Sequence, residues 1–185
     1  VHDELMKFDK YYGKEKNIES KINEVFLRRK GFIDSDFKKI EEGDWFMNDG
    51  EPIYISGGYY FFLQHYYLPE DGVYPNFRMP QRDYFLWLEA CYADERCVGS
   101  LLLKSRRSSF TVTSSSEILR DSIRYRNSYY PIMSDTKDHA DTLFSNYIVR
   151  PFLTLPKHLQ PMRIGNVIPK SEMVMLRLKE IAEKG

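Results

Sequence analysis

Cys97-Val98-Gly99-Ser100-Leu101-Leu102-Leu103, followed by Lys104-Ser105-Arg106-Arg107-Ser108-Ser109-Phe110-Thr111, is the stretch on which the fold turns. The first seven residues form a short apolar run, the pattern of a strand buried on both faces. The next seven are polar and basic and read as a loop. Thr111 to Arg124 then reads as a helix, with Val112, Ile118, Leu119 and Ile123 apolar. Ser128 to Ser134 (SYYPIMS) reads as a second strand, with Pro131 an awkward member. Two short strands joined by a crossover helix make a βαβ unit. The expectation is therefore an α/β fold with a parallel sheet flanked by helices.

Upstream, residues 1–16 are charged and aperiodic, an arm at most. Ile18, Ile22, Val25 and Phe26 recur at helical spacing and predict a helix over Asn17–Lys30, stopped at Gly31. Asp34 to Glu42 predicts a second short helix ended by Gly43. Asn48-Asp49-Gly50 between aromatic and β-branched residues is a hairpin signal. Tyr59 to Tyr67 (YYFFLQHYY) is nearly all aromatic; its rings are consecutive rather than on one face, so a buried core segment is favoured over a platform for stacking bases. Pro69 to Pro80 is a loop, Gln81 to Ala93 a helix with Phe85, Leu88, Ala90 and Tyr92 on its apolar side, and Asp138 to Val149 another helix. In the tail, Met173 and Met175 alternate with polar residues. The division expected is an N-terminal helical arm over 1–40 and one domain over 41–185.

With 185 residues, 42% hydrophobic and 29% charged, the chain is long enough for a core and too apolar for a disordered segment. No apolar stretch approaches the roughly 18 residues of a membrane span, and no secretory leader is evident. Cys91 and Cys97 lack zinc-type spacing, and reduced thiols are the simplest reading. Net charge is zero, yet residues 1–103 carry 13 basic and 19 acidic side chains and residues 104–185 carry 14 and 8. That asymmetry points to an anionic partner for the C-terminal half.

A strand, a loop of small polar residues and a helix opening on Thr111 is the layout of a phosphate cradle. Backbone N–H groups and the positive helix end hold phosphate, a Lys neutralises charge and a hydroxyl ligates Mg²⁺. The standard motif has Gly, Lys and Thr where this chain has Ser109, Phe110 and Thr111, so Lys104 is the candidate lysine, acting from the start of the loop. Arg106 and Arg107 add charge. Phe77 and Gln81 upstream can stack on an adenine ring and read its edge.

The pattern Lys-x-x-Arg-x-Gly-x-Ser/Thr, matched at Lys104, Arg107 and Thr111 with Ser109 in place of Gly, resembles the N-terminal ATPase region of the large terminase subunit of tailed bacteriophages. Trp45 to Pro52, Tyr54 to Gly57, Tyr60, Arg82-Asp83 with Phe85 and Trp87, Arg96-Cys97 with Gly99, and Pro169 to Glu172 carry the resemblance, in order, to terminases of phages that infect gut Bacteroidetes. It implies a P-loop NTPase-like fold of the ASCE type, incomplete here, with a helical and aromatic N-terminal segment. It also implies that Phe77 and Gln81 hold adenine, that Lys104, Ser105, Arg106, Arg107, Ser108, Ser109, Phe110 and Thr111 wrap the phosphates of ATP, and that Thr111 ligates Mg²⁺. The activity implied is ATP-driven packaging of viral DNA in the host cytoplasm. Double-stranded DNA, the portal protein and the small terminase subunit are the implied partners, and an oligomeric ring the implied assembly. No apolar run after Thr111 ends in the Asp-Glu pair that activates water, so the front portion of a longer protein, inactive alone, is expected.

The competing class is a non-catalytic, degenerate P-loop adaptor or interaction domain. His65, His139 and His158 are scattered and give no metal-ligand spacing. Asp135, Asp138 and Asp141 read as capping acids, and Ser114, Ser115 and Ser116 lack a nearby His. Arg120, Arg124 and Arg126 read as a solvated helix face rather than a DNA-binding one.

Overall fold

The computed structural model describes residues 18–68, 72–103, 109–125, 127–163 and 168–176, with side chains from residue 28 to residue 175. The chain falls into two compact units, residues 1–38 and 39–185. The arm expected over 1–16 lies outside the described residues. Helix α1 is continuous over Ile18–Glu42. Gly31, expected to stop it, lies inside, where glycine costs only about 1 kcal/mol relative to alanine. The stop is Gly43, at φ 86°, whose N–H donates to the Lys39 carbonyl at 2.9 Å.

The second unit opens with a hairpin, β1 (Asp44–Asn48) paired antiparallel with β2 (Glu51–Ile55). Asn48 faces Glu51 across a two-residue turn in which Asp49 and Gly50 both take positive φ, 51° and 86°. Both central residues of such a turn must be left-handed, which is why Asp-Gly specifies it.

The aromatic segment is core, as its composition implies. Helix α2 (Gly57–Gln64) starts at Ser56, whose hydroxyl accepts from the Tyr59 N–H at 3.3 Å. Tyr59, Phe61, Phe62 and Tyr66 are fully buried, and Tyr59 stacks on Phe85 at 5.4 Å. Phe85 belongs to helix α3 (Met79–Ala93). The Tyr59 hydroxyl is satisfied at the start of α3, accepting from the Arg78 N–H at 2.6 Å and donating to the Arg78 carbonyl at 3.0 Å. On α3 itself Phe85 and Leu88 point inward, whereas Ala90 and Tyr92 are exposed.

Helix α4 (Phe110–Arg124) packs against α2. After it come α5 (Lys137–Phe144), a wider π turn over Ser145–Val149 and α6 (Arg150–Thr154), one continuous helical stretch across the expected Asp138–Val149 helix. Ile148, Phe152, Leu155 and Leu159 close the core. A two-residue antiparallel pair, β3 (Met162–Arg163) with β4 (Met175–Leu176), completes the described elements.

This architecture corrects the expected α/β fold. The described residues are mainly helical, and their sheets are two antiparallel pairs with no parallel strand among them. Residues 97–103 make no ladder. Their side chains stand in solvent, with Val98, Leu101 and Leu103 exposed at 102%, 88% and 91%. An apolar run becomes a buried strand only where neighbours pair with it and cover its faces, and none of the described strands does so. Ser128 to Ser134 fails as a strand for a local reason as well. Asn127 turns left-handed at φ 52° just before it, and Pro131 has no N–H to give a ladder.

Candidate functional site

The segment Lys104, Ser105, Arg106, Arg107 and Ser108 lies outside the described residues, as does Arg126. The other expected site residues are placed. Ser109 is the N-cap of α4, in the left-handed conformation (φ 59°, ψ 10°), and its side chain makes no capping bond. Its carbonyl accepts from the N–H groups of Val112 and Thr113 at 3.1 and 3.2 Å. A left-handed residue leading into right-handed ones turns successive N–H groups toward one concavity, the geometry that receives anions. The first turn of α4 carries no acid, and Thr111 within it is exposed. No acid of that turn therefore competes for the positive helix end.

Phe110 and the adenine-reading pair are placed less favourably. The Phe110 ring meets Tyr84 of α3 edge-on at 4.9 Å and is a packing residue. Phe77 is half-buried between Phe46 (5.1 Å) and Tyr59 (5.7 Å), which commits its ring to the core. Gln81 is buried one turn before Tyr84, and its Oε1 has no hydrogen-bond partner among the described residues. The structure thus brings the second turn of α3 against the start of α4 through Tyr84, whose hydroxyl also meets Ser114 Oγ at 2.8 Å. It separates Phe77 from that junction by turning the ring into the aromatic core.

Further along α4 lies a group of charges that includes Arg120 and Arg124, which the sequence reading assigned to a solvated face. Arg120 and Glu117 are each only 4% exposed. Arg120 Nη2 lies 2.9 Å from Glu117 Oε1 and 3.4 Å from Asp121 Oδ1, and Arg124 Nη1 lies 3.6 Å from the same Asp121 oxygen. From α3, Glu89 Oε1 accepts the Gly57 N–H at 3.1 Å, placing a carboxylate on the positive end of α2. Gly58 is the contact point between α2 and this cluster. A Cβ there would meet Arg120 Nη1, Glu117 Oε2 and Phe85 at distances no side chain adopts. Among the described residues, Glu117 Oε2 and the Nε and Nη1 of Arg120 have no hydrogen-bond partner.

Burial decides the electrostatics. It pushes the Glu117 carboxyl up to about 7 although Arg120 beside it pulls the other way, and Asp121 adds repulsion. Burial likewise raises Glu89 against the pull of Arg120 and Asp121 against that of Arg120 and Arg124. A signal existed in the sequence: 113, 116, 117, 120, 121 and 124 follow core spacing on a helix, occupied by Thr, Ser, Glu, Arg, Asp and Arg. Small Thr113 and Ser116 let α2 approach closely, so this polar stripe is buried alongside Leu119.

Thr136, not one of the acids, caps α5, its hydroxyl accepting from the His139 N–H at 3.3 Å; Asp135 before it accepts from the Thr136 N–H at 3.0 Å and meets His139 Nδ1 at 2.7 Å. No group of three or more His, Cys, Asp or Glu among the described residues can hold a metal ion. No helix among them is long and apolar enough to cross a membrane. A groove of about 680 Å³ opens beside α4, α5 and residues 171–175, lined by Ile123, Tyr130, Phe144 and Met173 among others, and contains none of the expected site residues. No family model, curated protein or solved structure matches this chain.

Proposed function

We propose that this chain is the nucleotide-binding portion of a phage DNA-packaging motor protein and that the phosphates of ATP seat at the amino end of α4. The observation that carries the reading is Ser109. It takes a left-handed conformation, which favours glycine, at the position where the terminase pattern has Gly, directly before an α4 first turn that holds no acid. The fit to a phosphate is local and does not depend on a parallel sheet, which the described residues do not form. Bound ATP supplies the negative charge that this end of α4, with Lys104, Arg106 and Arg107, would neutralise, and Thr111 offers a hydroxyl to Mg²⁺. Adenine recognition by Phe77 is not retained, because its ring is packed in the core. Double-stranded DNA, the portal protein and the small terminase subunit remain the partners implied by the resemblance.

A second reading, a non-catalytic interaction domain, draws on a different observation. The exposed apolar side chains of Val98, Leu101 and Leu103 form a surface that water does not favour. Binding separates the two readings. Titration of a fluorescent ATP analogue with Mg²⁺ gives saturable binding that weakens on Lys104→Ala if the first reading holds. Absence of saturable binding leaves the interaction domain.

A further inference from the structure

Among the described strands, β1 (Asp44–Asn48) is paired along one side only, with β2. Two hydrogen bonds fix which of its groups face the other side. The Tyr54 carbonyl of β2 accepts from Arg82 Nε at 2.8 Å and so points away from β1, and the Trp45 N–H donates to Asp44 Oδ1 at 2.9 Å. Trp45 and Tyr54 are directly opposite each other. Opposite residues in an antiparallel pair either exchange both main-chain bonds or turn both sets of groups outward. The next outward pair, two residues along, is therefore Met47 with Pro52. This closes the outer edge of β2, because Pro52 has no N–H and Arg82 takes the Tyr54 carbonyl. The outer edge of β1 presents the main-chain groups of Trp45 and Met47, and none of the described residues bonds those of Met47. The side chains beside that edge are apolar and wet. Trp45 and Met47 are 66% and 65% exposed, and Pro52 is exposed next to them. An unpaired edge with exposed apolar side chains is a template for another strand.

We propose that this edge pairs with the same edge of a second copy of the chain, β1 antiparallel to β1 about a two-fold axis at Phe46, to give one four-stranded sheet. The sequence Asp44-Trp45-Phe46-Met47-Asn48 complements itself in that register. Trp45 of each copy faces Met47 of the other. These are the two residues whose main-chain groups turn outward, so each pair exchanges two hydrogen bonds and lays an indole against a thioether. The Trp45 N–H trades its bond to Asp44 for one to the second copy. Asp44 faces Asn48, an acid opposite an amide rather than opposite a second acid, and Lys39 Nζ, 2.6 Å from Asp44 Oδ2, balances the charge. A register slipped by two residues leaves Trp45 opposite Asp49, or Met47 opposite Gly43, and both of those lie outside the strand. A lone two-stranded hairpin is marginal, and two further strands stabilise it. The contact is the same patch on both copies, so association closes at the dimer.

Sedimentation velocity of the full chain over a dilution series tests this. Wild type should pass from monomer to dimer and no further. Met47→Pro removes an outward N–H that the single hairpin does not use, so the variant should keep its circular dichroism spectrum and remain monomeric where wild type is dimeric. Asn48→Asp sets two carboxylates opposite each other at each end of the paired strands, with a single Lys39 to balance them. Its dimer dissociation constant should rise several-fold, and added salt should recover much of the loss. Should Met47→Pro lose its spectrum, the Asn48→Asp comparison decides alone. A wild type that stays monomeric throughout would overturn the proposal. Open-ended association past the dimer would do the same, since it marks a head-to-tail contact such as a strand supplied by residues 97–103. A folded Met47→Pro or Asn48→Asp protein that dimerises as wild type does would also overturn it.

Discussion

The Tyr66 hydroxyl donates to the main-chain carbonyl of Tyr147 at 2.6 Å. In an α-helical register that carbonyl would accept from residue 151, which is Pro151 and has no N–H to give. The π turn over Ser145–Val149 widens the helix just before the proline, and a fully buried tyrosine from the aromatic segment donates to the Tyr147 carbonyl there. Tyr66→Phe keeps the ring and removes this hydrogen bond. The expected loss is about 0.5–1.5 kcal/mol of unfolding free energy. Urea denaturation measures it, and an unchanged midpoint would show that water replaces the hydroxyl.

Glu117 gives stability a pH dependence whose sign is fixed. Its folded-state carboxyl, raised to about 7 from 4.5, binds a proton more tightly than in the unfolded chain. Its stabilising contribution is therefore complete below about pH 4.5 and is lost as pH rises through about 7, to the extent of about 3 kcal/mol. Glu89 and Asp121, raised by the same burial, act in the same direction. Glu117→Gln keeps an oxygen for Arg120 and removes the titration, so its stability should fall less between pH 5 and pH 8. Parallel pH profiles for the two proteins would contradict this.

Gly58 of α2 lies against Arg120 and Glu117 of α4 and Phe85 of α3, so Gly58→Ala should destabilise by about 1–3 kcal/mol through overpacking against them. Gly50→Ala, at an open turn position with positive φ, should cost about 1–2 kcal/mol from backbone strain alone. Thermal melts of the two variants compare the mechanisms. A Gly58→Ala protein as stable as wild type would mean that Arg120 can move away freely.

Local signals were legible in the sequence and long-range ones were not. Asp49-Gly50 specified its turn because both residues tolerate positive φ, and YYFFLQHYY specified core because so much ring area must leave water. Residues 97–103 misled: their apolarity marks a need for cover, whereas strand formation also requires ladder partners, which a run of side chains does not encode. The Glu117–Arg120–Asp121 stripe was missed because charge was read as exposure, although its spacing matched a buried helix face. Thr111 proved a better guide, since α4 begins within one residue of it.

Ser109→Gly tests whether the left-handed cap is a strained stand-in for glycine. Glycine adopts that conformation freely, so the variant should be more stable by about 0.5–1 kcal/mol and bind the ATP analogue at least as tightly. Ser109→Ala, with the same backbone strain and no hydroxyl, should show neither gain. A Ser109→Gly protein less stable than wild type would mean that residue 109 is not held left-handed in solution.

The most direct test of the nucleotide-binding reading is the affinity of a fluorescent ATP analogue, with Mg²⁺, for the wild-type chain and for Lys104→Ala, both checked for folding by circular dichroism. The expected result is weak saturable binding that loses about 1.5–3 kcal/mol when the lysine charge is removed, the range for a hydrogen bond to a charged group. Equal affinities in the two proteins, or no saturable binding by the wild type, would contradict it.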